Sequence, residues 1–137
     1  MARQQSNTNK WMNQPAWVYF VGLVFVLYLF FKFYDPSSST RSKSAEYNLS
    51  PYELLQDYKG NEAAADKKYL DKVISVTGVI TSISSEDIRL NEDVVCNFEG
   101  KEKDKLANVH NGDRITIKGE CAGKFLWTVH LKYCSIQ

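Results

Sequence analysis

The stretch that decides the fold is residues 73–83, which reads Val-Ile-Ser-Val-Thr-Gly-Val-Ile-Thr-Ser-Ile. Most of these residues are β-branched, and branched side chains favour extended backbone. The stretch is long for a strand, and Gly78 at its middle suits a bulge or a sharp coil. It therefore predicts a long first strand that bends near its centre.

Four more predicted strands follow along the chain. Residues 87–90 and 94–98 are short runs that alternate apolar and polar side chains, as half-buried strands do. The turn at residues 111–113, Asn-Gly-Asp, leads into residues 114–120, which alternate in the same way. The last strand is predicted to place five side chains on one inner face, namely Phe125, Trp127, Val129, Leu131 and Tyr133.

Two helical segments accompany these strands. Ser50-Pro51-Tyr52-Glu53 has the residue types of a helix start with a capping box, and apolar side chains then recur at helical spacing as far as Tyr69. Gly60 and Asn61 weaken this helix and allow a break. Residues 101–109 suit a short helix between the third and fourth strands. This order predicts a mainly β domain, a five-stranded OB-fold barrel whose N-terminal helix covers one mouth.

Residues 16–34 predict a single transmembrane helix ahead of the barrel. Residues 16–31 contain no charged or amide side chain, so the run lacks the polar face of a soluble helix. The residues that follow are bulky or charged rather than small, which favours an uncleaved signal anchor over a cleaved signal peptide. The predicted organisation is a tail at 1–15, an anchor at 16–34, a flexible Ser-rich linker at 35–49 and the OB-fold domain at 50–137.

Charge bears on location and partners. Residues 44–137 hold 12 basic and 15 acidic residues, and this net charge of −3 disfavours nucleic acid as a partner. The numbers of Lys and Arg residues on the two flanks of the anchor are too similar to predict its orientation in the membrane. Because the N-terminal flank is short, we favour a single-pass protein of the cell membrane whose C-terminal domain lies outside the cytoplasm. The lipid bilayer is then the partner of residues 16–34.

The three cysteines leave two interpretations open. Cys96, Cys121 and Cys134 show no CxxC spacing, so the sequence indicates neither a metal site nor a redox motif, and we expect no cofactor. They suit buried positions as small apolar residues. One disulfide with one free thiol is the alternative if the domain is extracytoplasmic.

Several stretches resemble the bacterial tRNA_anti-like family. They are Asn61–Tyr69, Val73–Ile80, Val95–Phe98, Gly112–Gly119 and Leu131–Ile136, and the resemblance covers residues 49–137. The family is named for likeness to anticodon-binding OB domains, which implies an OB fold. Its members are largely uncharacterised, and many resemble small envelope proteins with an N-terminal hydrophobic segment. The resemblance implies no catalytic residues.

The sequence contains no hydrolase elbow, phosphate loop or metalloprotease helix, so we predict a non-enzymatic binding module of the bacterial envelope. We expect its ligand to be an envelope protein, a glycan or a small molecule. The candidate binding loops are residues 84–87, 91–93 and 123–126. The candidate ligand-binding residues are Arg89, Asn97 and His130.

Two other functions are weighed against this one. A single-stranded nucleic acid would bind through Arg89 and Asn97, but the sequence predicts no exposed aromatic partner beside them. A haem carrier would use His130 and Tyr133, because anchored periplasmic haem chaperones resemble this chain in architecture. The spacing of the two residues departs from the His-x-x-x-Tyr of those proteins, and strand alternation points their side chains to opposite faces.

Overall fold

The computed structural model describes residues 15–33 and 36–137, and the chain divides into two units, residues 1–35 and 36–137. In the first unit, helix α1 spans Ala16–Phe33, and none of its 18 residues is buried. A helix of this length measures about 27 Å. By length and composition α1 can cross a membrane, so it is compatible with the predicted anchor. The predicted tail up to residue 14 and the last anchor residue, Tyr34, lie outside the described residues.

The second unit contains short helices and six strands in mixed order. The helices are α2 (Pro36–Ser42), α3 (Pro51–Gly60), α4 (Glu62–Tyr69) and a 3-10 helix (Gly100–Asn108). The strands are β1 (Tyr47–Leu49), β2 (Val73–Ile83), β3 (Asp87–Leu90), β4 (Val94–Asn97), β5 (Arg114–Phe125) and β6 (Thr128–Ile136).

The strands form one sheet in the order β1-β2-β3-β4-β6-β5, and a further pairing of β2 with β5 closes the last five into a barrel. β4 and β6 run parallel, as do β1 and β2, and the remaining pairs are antiparallel. The predicted mainly β fold, with five barrel strands and a short helix between the third and fourth of them, is confirmed. β1 is an additional strand that the sequence analysis does not predict.

Strand β2 bends because it changes partner near its centre. Its first seven residues pair with β5, and the remainder pairs with β3. The register irregularity lies between Ile80 and Ser82 rather than at Gly78, where a bulge is predicted. Gly78 instead allows Asn91 and Pro51 to pack against the strand. A Cβ at this position would lie 2.7 Å from both Asn91 Oδ1 and Pro51 Cγ.

One apolar core joins the barrel to helices α3 and α4. The helices contribute the five side chains that are predicted at helical spacing: Leu54, Leu55, Tyr58, Ala65 and Tyr69. The barrel contributes Ile74, Val76, Ile80, Ile88, Leu90, Val94, Cys96, Phe98, Ile117, Cys121, Val129, Leu131 and Cys134, among others. The interior is therefore filled by side chains, and a ligand has to bind on the outside.

The helix starts follow the sequence signals. Glu53 N–H donates to Ser50 Oγ at 3.2 Å, and Ser50 N–H donates to Glu53 Oε2 at 2.8 Å, which completes the predicted capping box. The predicted helix is broken at Asn61, as its weak centre allows. Asn61 ends α3, and its side chain accepts a hydrogen bond from Ala64 N–H at 3.1 Å to cap α4.

The segment predicted to be a flexible linker contains secondary structure that packs on the barrel. Thr40 in α2 is fully buried, and Arg41 Nη1 lies 3.1 Å from Glu102 Oε1, whose side chain is 5% exposed. Lys118 Nζ donates to the carbonyl oxygens of Arg41 at 2.7 Å and Lys43 at 3.0 Å. These contacts come from residues far away in the chain, which explains why the local composition does not reveal them.

The prediction for the last strand is wrong in part. Val129 and Leu131 are buried as predicted. Phe125 ends β5, however, and Trp127 lies in the turn before β6, where both side chains are exposed. Tyr133 has φ of +54°, which interrupts the alternation of β6. A hairpin turn and a local kink therefore replace the uninterrupted strand that a period of two predicts.

We expect Arg41→Ala to loosen α2 and to lower the free energy of unfolding by about 1–3 kcal/mol, because it removes a charged partner of the nearly buried Glu102. Chemical denaturation of the full chain in detergent measures the loss, and hydrogen exchange of residues 39–46 should accelerate.

Lys105→Ala is the matched control for this substitution. Lys105 Nζ lies 2.9 Å from Glu102 Oε2 as an ion pair, without hydrogen-bond geometry, and its side chain is 51% exposed. Such a pair contributes less than about 1 kcal/mol. Equal losses in the two variants would contradict the assignment of Arg41 as the residue that holds α2.

Candidate ligand-binding surface

Three neighbouring strands, β3, β4 and β6, form one outer face of the barrel. Arg89 on β3 is paired with Val95 on β4, and Val95 is paired with His130 on β6. The three residues therefore lie side by side across the face. Their sequence neighbours on each strand are buried, so the alternation of apolar and polar residues is what turns these side chains outward.

The turn between β5 and β6 presents large apolar side chains beside this face. Phe125, Leu126 and Trp127 are 65%, 66% and 83% exposed, and Leu126 takes φ of +53° within the turn. Burial of one such side chain is worth about 1.5–3 kcal/mol. Three of them in a row contribute little to the fold when they face water, and a cluster of this kind typically marks a contact with a partner.

His130 links the turn to the face. Its ring meets the Phe125 ring edge to face, with centroids 6.0 Å apart, and its Nε2 lies 3.0 Å from Thr128 Oγ1. Burial lowers the pKa of His130, and the positive charge of Arg89 lowers it further, whereas Asp87 acts in the opposite direction. The imidazole is therefore mainly neutral at pH 7, so one ring nitrogen donates a hydrogen bond and the other accepts one.

The face and the turn together border an open cavity of about 440 Å³. Its lining residues are Asp87, Arg89, Glu92, Val95, Phe125, Leu126, Trp127, Thr128 and His130. Arg89 Nη1 lies 3.5 Å from Glu92 Oε2, and both side chains are more than one-third exposed, so the pair is weak and can open to a ligand. With two carboxylates and one guanidinium, the cavity favours apolar and planar groups over polyanions.

Trp127 also borders a second cavity, of about 560 Å³, on the side of the helices. There it faces Tyr58 and the α3–α4 junction at Gly60 and Asn61. Lys124 and Glu62 form an ion pair at 3.2 Å on the rim of this cavity. The aromatic turn, residues 125–127, therefore lies between two cavities. A ligand that contacts Trp127 can extend into either of them.

The structure brings together two of the three predicted ligand-binding residues. Arg89 and His130 line the same cavity, whereas Asn97 lies on the same strand face, paired with Asp87, and is not among the lining residues. Within the described residues no cluster of His, Cys, Asp or Glu side chains could hold a metal ion.

Residues 123–126 are predicted to be a binding loop, but Phe125 and Trp127 are also assigned to the last strand, so the aromatic turn is predicted only in part. The prediction that no exposed aromatic residue accompanies the face is wrong. The sequence did contain a feature that indicates this turn. In a regular strand, Phe125 and Trp127 on the inner face would leave Leu126 outward, so the run Phe-Leu-Trp exposes a large apolar residue in any register. Three large apolar residues in succession fit a turn that carries a contact surface better than they fit an alternating strand.

We expect His130 to titrate below pH 6.5 in the folded protein. Because the pKa of this base is lowered by folding, the unfolded state binds the proton more readily. The stability contribution of neutral His130 is complete above about pH 6.5 and is lost as the pH falls below that value. NMR titration of the imidazole measures the midpoint directly.

Arg89→Gln tests the contribution of Arg89 to the lowered pKa of His130. Removal of the positive charge should raise the midpoint of His130 and flatten the loss of stability between about pH 7 and pH 5. A midpoint that stays unchanged, or that falls, would show that Arg89 does not act on His130.

The comparisons with known proteins agree with this architecture. The sequence profile of the tRNA_anti-like family matches residues 6–135. No curated protein sequence matches the chain. Among solved structures, a Klebsiella pneumoniae subsp. pneumoniae protein described as "putative nucleic acid-binding lipoprotein" superposes with a TM-score of 0.53 at 20% identity, over 76% of this chain and 99% of that protein. At this identity the likeness concerns the fold alone, whereas the profile match covers nearly the whole sequence. The chain belongs to the tRNA_anti-like family.

Proposed function

We propose that this protein is a non-enzymatic binding module, tethered to a membrane by α1, which captures its ligand with the aromatic turn and the adjacent face of β3, β4 and β6. The observation that carries the proposal is the exposure of Phe125, Leu126 and Trp127 next to a concave strand face. Clusters of this kind on a rigid barrel mark binding sites more often than they stabilise the barrel.

Two observations support a tethered domain. Helix α1 is apolar apart from Lys32 in its last turn, and it has no buried residue. The neighbour from Klebsiella pneumoniae is described as a lipoprotein, which is a different means of attachment to a membrane.

The chemistry of the cavity supports binding rather than catalysis. Arg89 is paired with Glu92, and His130 packs against Phe125. The lining offers aromatic and aliphatic area with a few polar groups at its edge, which is the usual composition of a recognition site. We therefore expect an extended ligand with planar or apolar groups, such as a segment of an envelope protein or a glycan.

A photo-cross-linking amino acid at Leu126 tests this proposal in native membranes. We expect a discrete adduct from position 126 and a yield at least about fivefold lower when Trp127→Ala is added, since the loss of one aromatic contact costs about 1 kcal/mol or more. Mass spectrometry of the adduct identifies the ligand class.

Position 52 is the matched control for this experiment. Tyr52 on α3 is 65% exposed, as Phe125 is, but it is not among the residues that line the cavity. Equal cross-linking from positions 52 and 126, or a yield at position 126 that Trp127→Ala leaves unchanged, would refute the aromatic turn as the binding element.

A single-stranded nucleic acid is the second candidate ligand. The aromatic turn supplies the stacking surface that such ligands need, and the solved neighbour is described in those terms. The charges argue against it, since Arg89 is accompanied by two carboxylates in the cavity and residues 44–137 carry a net charge of −3.

Titration with a fluorescent single-stranded RNA separates the two candidates. A nucleic-acid site predicts that Trp127→Ala weakens the Kd about 5- to 150-fold. With one guanidinium in the cavity, the slope of log K against log salt should be about −0.7 rather than steep. RNA binding that Trp127→Ala leaves unaffected would exclude this candidate, and Tyr52→Ala serves again as the control.

A further inference from the structure

Basic residues gather around α2 on the outside of the barrel. Arg41 Nη1 lies 3.1 Å from Glu102 Oε1, and Lys105 Nζ lies 2.9 Å from the other oxygen of the same carboxylate. Lys118 Nζ donates to the carbonyl oxygens of Arg41 and Lys43. These contacts hold four basic residues close together, and we call them the basic patch: Arg41, Lys43, Lys105 and Lys118.

The basic patch is a local excess of positive charge on an acidic domain. Residues 36–43 carry a net charge of +2 and residues 100–108 carry +1, whereas residues 44–137 as a whole carry −3. Glu102, the carboxylate within the patch, is largely hidden because its side chain is only 5% exposed. An anionic partner is therefore attracted to this part of the domain rather than to its whole surface.

The fold does not require every charge of the basic patch. Lys43 is exposed, and the Lys105 side chain is 51% exposed. An ion pair at such a position contributes little to stability. The ammonium groups of these two residues can therefore bind a partner while Arg41 and Lys118 keep α2 on the barrel.

The position of the basic patch in the chain indicates its partner. Helix α1 ends at Phe33 and α2 begins at Pro36. When α1 crosses a membrane, the lipid head groups lie within a few residues of chain from α2. Anionic head groups attract basic residues that flank a membrane-spanning helix. Because Thr40 is fully buried, the basic residues of α2 are fixed to the barrel rather than carried on a loose linker.

We propose that the basic patch binds anionic lipid head groups of the membrane that α1 crosses, and that this contact orients the barrel on the bilayer. Each lysine close to an anionic surface favours the contact about fivefold. The proposal rests on the tether in the proposed function, but it does not depend on the identity of the ligand.

The contact leaves the aromatic turn accessible. Lys118 is paired with Ser135 near the open end of the β5–β6 hairpin, whereas Phe125 is paired with Thr128 at its turn. Seven residues of strand separate Lys118 from Phe125, which corresponds to about 20 Å. Binding of lipid at the basic patch therefore keeps the aromatic turn at the other end of the hairpin, where a ligand can reach it.

Hydrogen exchange of the full chain in nanodiscs tests the proposal. The discs contain phosphatidylcholine alone, or phosphatidylglycerol as one lipid in three. We expect phosphatidylglycerol to slow exchange in residues 36–46 and 100–108 at least about fivefold. The effect should disappear at about 1 M salt, which screens exposed charges. The double variant Lys43→Gln/Lys105→Gln should lose the effect even at low salt.

Lys59→Gln/Lys67→Gln is the matched control. It removes the same charge from exposed positions on α3 and α4 and should keep the effect of phosphatidylglycerol. A photo-cross-linking amino acid at position 42 should form adducts with lipid, and one at position 126 should not. Exchange that does not respond to phosphatidylglycerol, a response that the Lys43→Gln/Lys105→Gln variant retains, or more lipid adducts from position 126 than from position 42 would overturn the proposal.

Flotation of the full chain with lipid vesicles at high salt tests the tether separately. We expect the chain to float, because α1 is held by apolar contacts that salt does not screen. A chain that does not float would refute the tether and this proposal together. A chain that floats without any effect of phosphatidylglycerol would refute the basic patch alone.

Discussion

Closure of the sheet is the constraint on which the rest of the structure depends. Strand β2 pairs with β5 through its first seven residues and with β3 through the rest, so one strand contributes to both sides of the barrel. That change of partner brings the β2 backbone against Pro51 and Asn91, and Gly78 is the residue without a side chain to obstruct it. Because closure leaves no free edge on β3, β4 or β6, their outer face is free for recognition.

The position of the candidate binding surface follows from how the barrel is filled. Side chains from the barrel strands and from helices α3 and α4 occupy the interior, so ligand contacts have to lie on the rim and the outer face. The β5–β6 turn extends there with its aromatic side chains in water. The same packing orders residues 36–49, because Arg41 finds a nearly buried carboxylate in Glu102 and Lys118 binds the end of α2. The compact unit that contains the barrel therefore begins at residue 36.

Local patterns predicted most of the fold. The bounds of β2 and β3 agree with the alternation of their residues, and the capping box at Ser50 and the break at Asn61 appear where local chemistry places them. Predictions failed where the conformation of a segment depends on residues that are distant in the sequence. Helix α2 depends on Glu102 and Lys118, and the inward position of Cys134 depends on the space at Gly119. Of the candidate site, Arg89 and His130 were each predicted to bind a ligand and residues 123–126 to form a binding loop, whereas Phe125 and Trp127 were assigned to the last strand.

The sequence by itself determined the apolar helix, the period of each strand and the family, because these properties depend on the order of neighbouring residues. Only the tertiary structure decided which outward residues become neighbours, since register between strands brings Arg89, Val95 and His130 into one row. It also decided that Phe125 and Trp127 face water and that Cys134 lies in the core. A turn and a single residue at positive φ shift the side chains beyond them to the other face, and a period of two cannot reveal where that shift occurs.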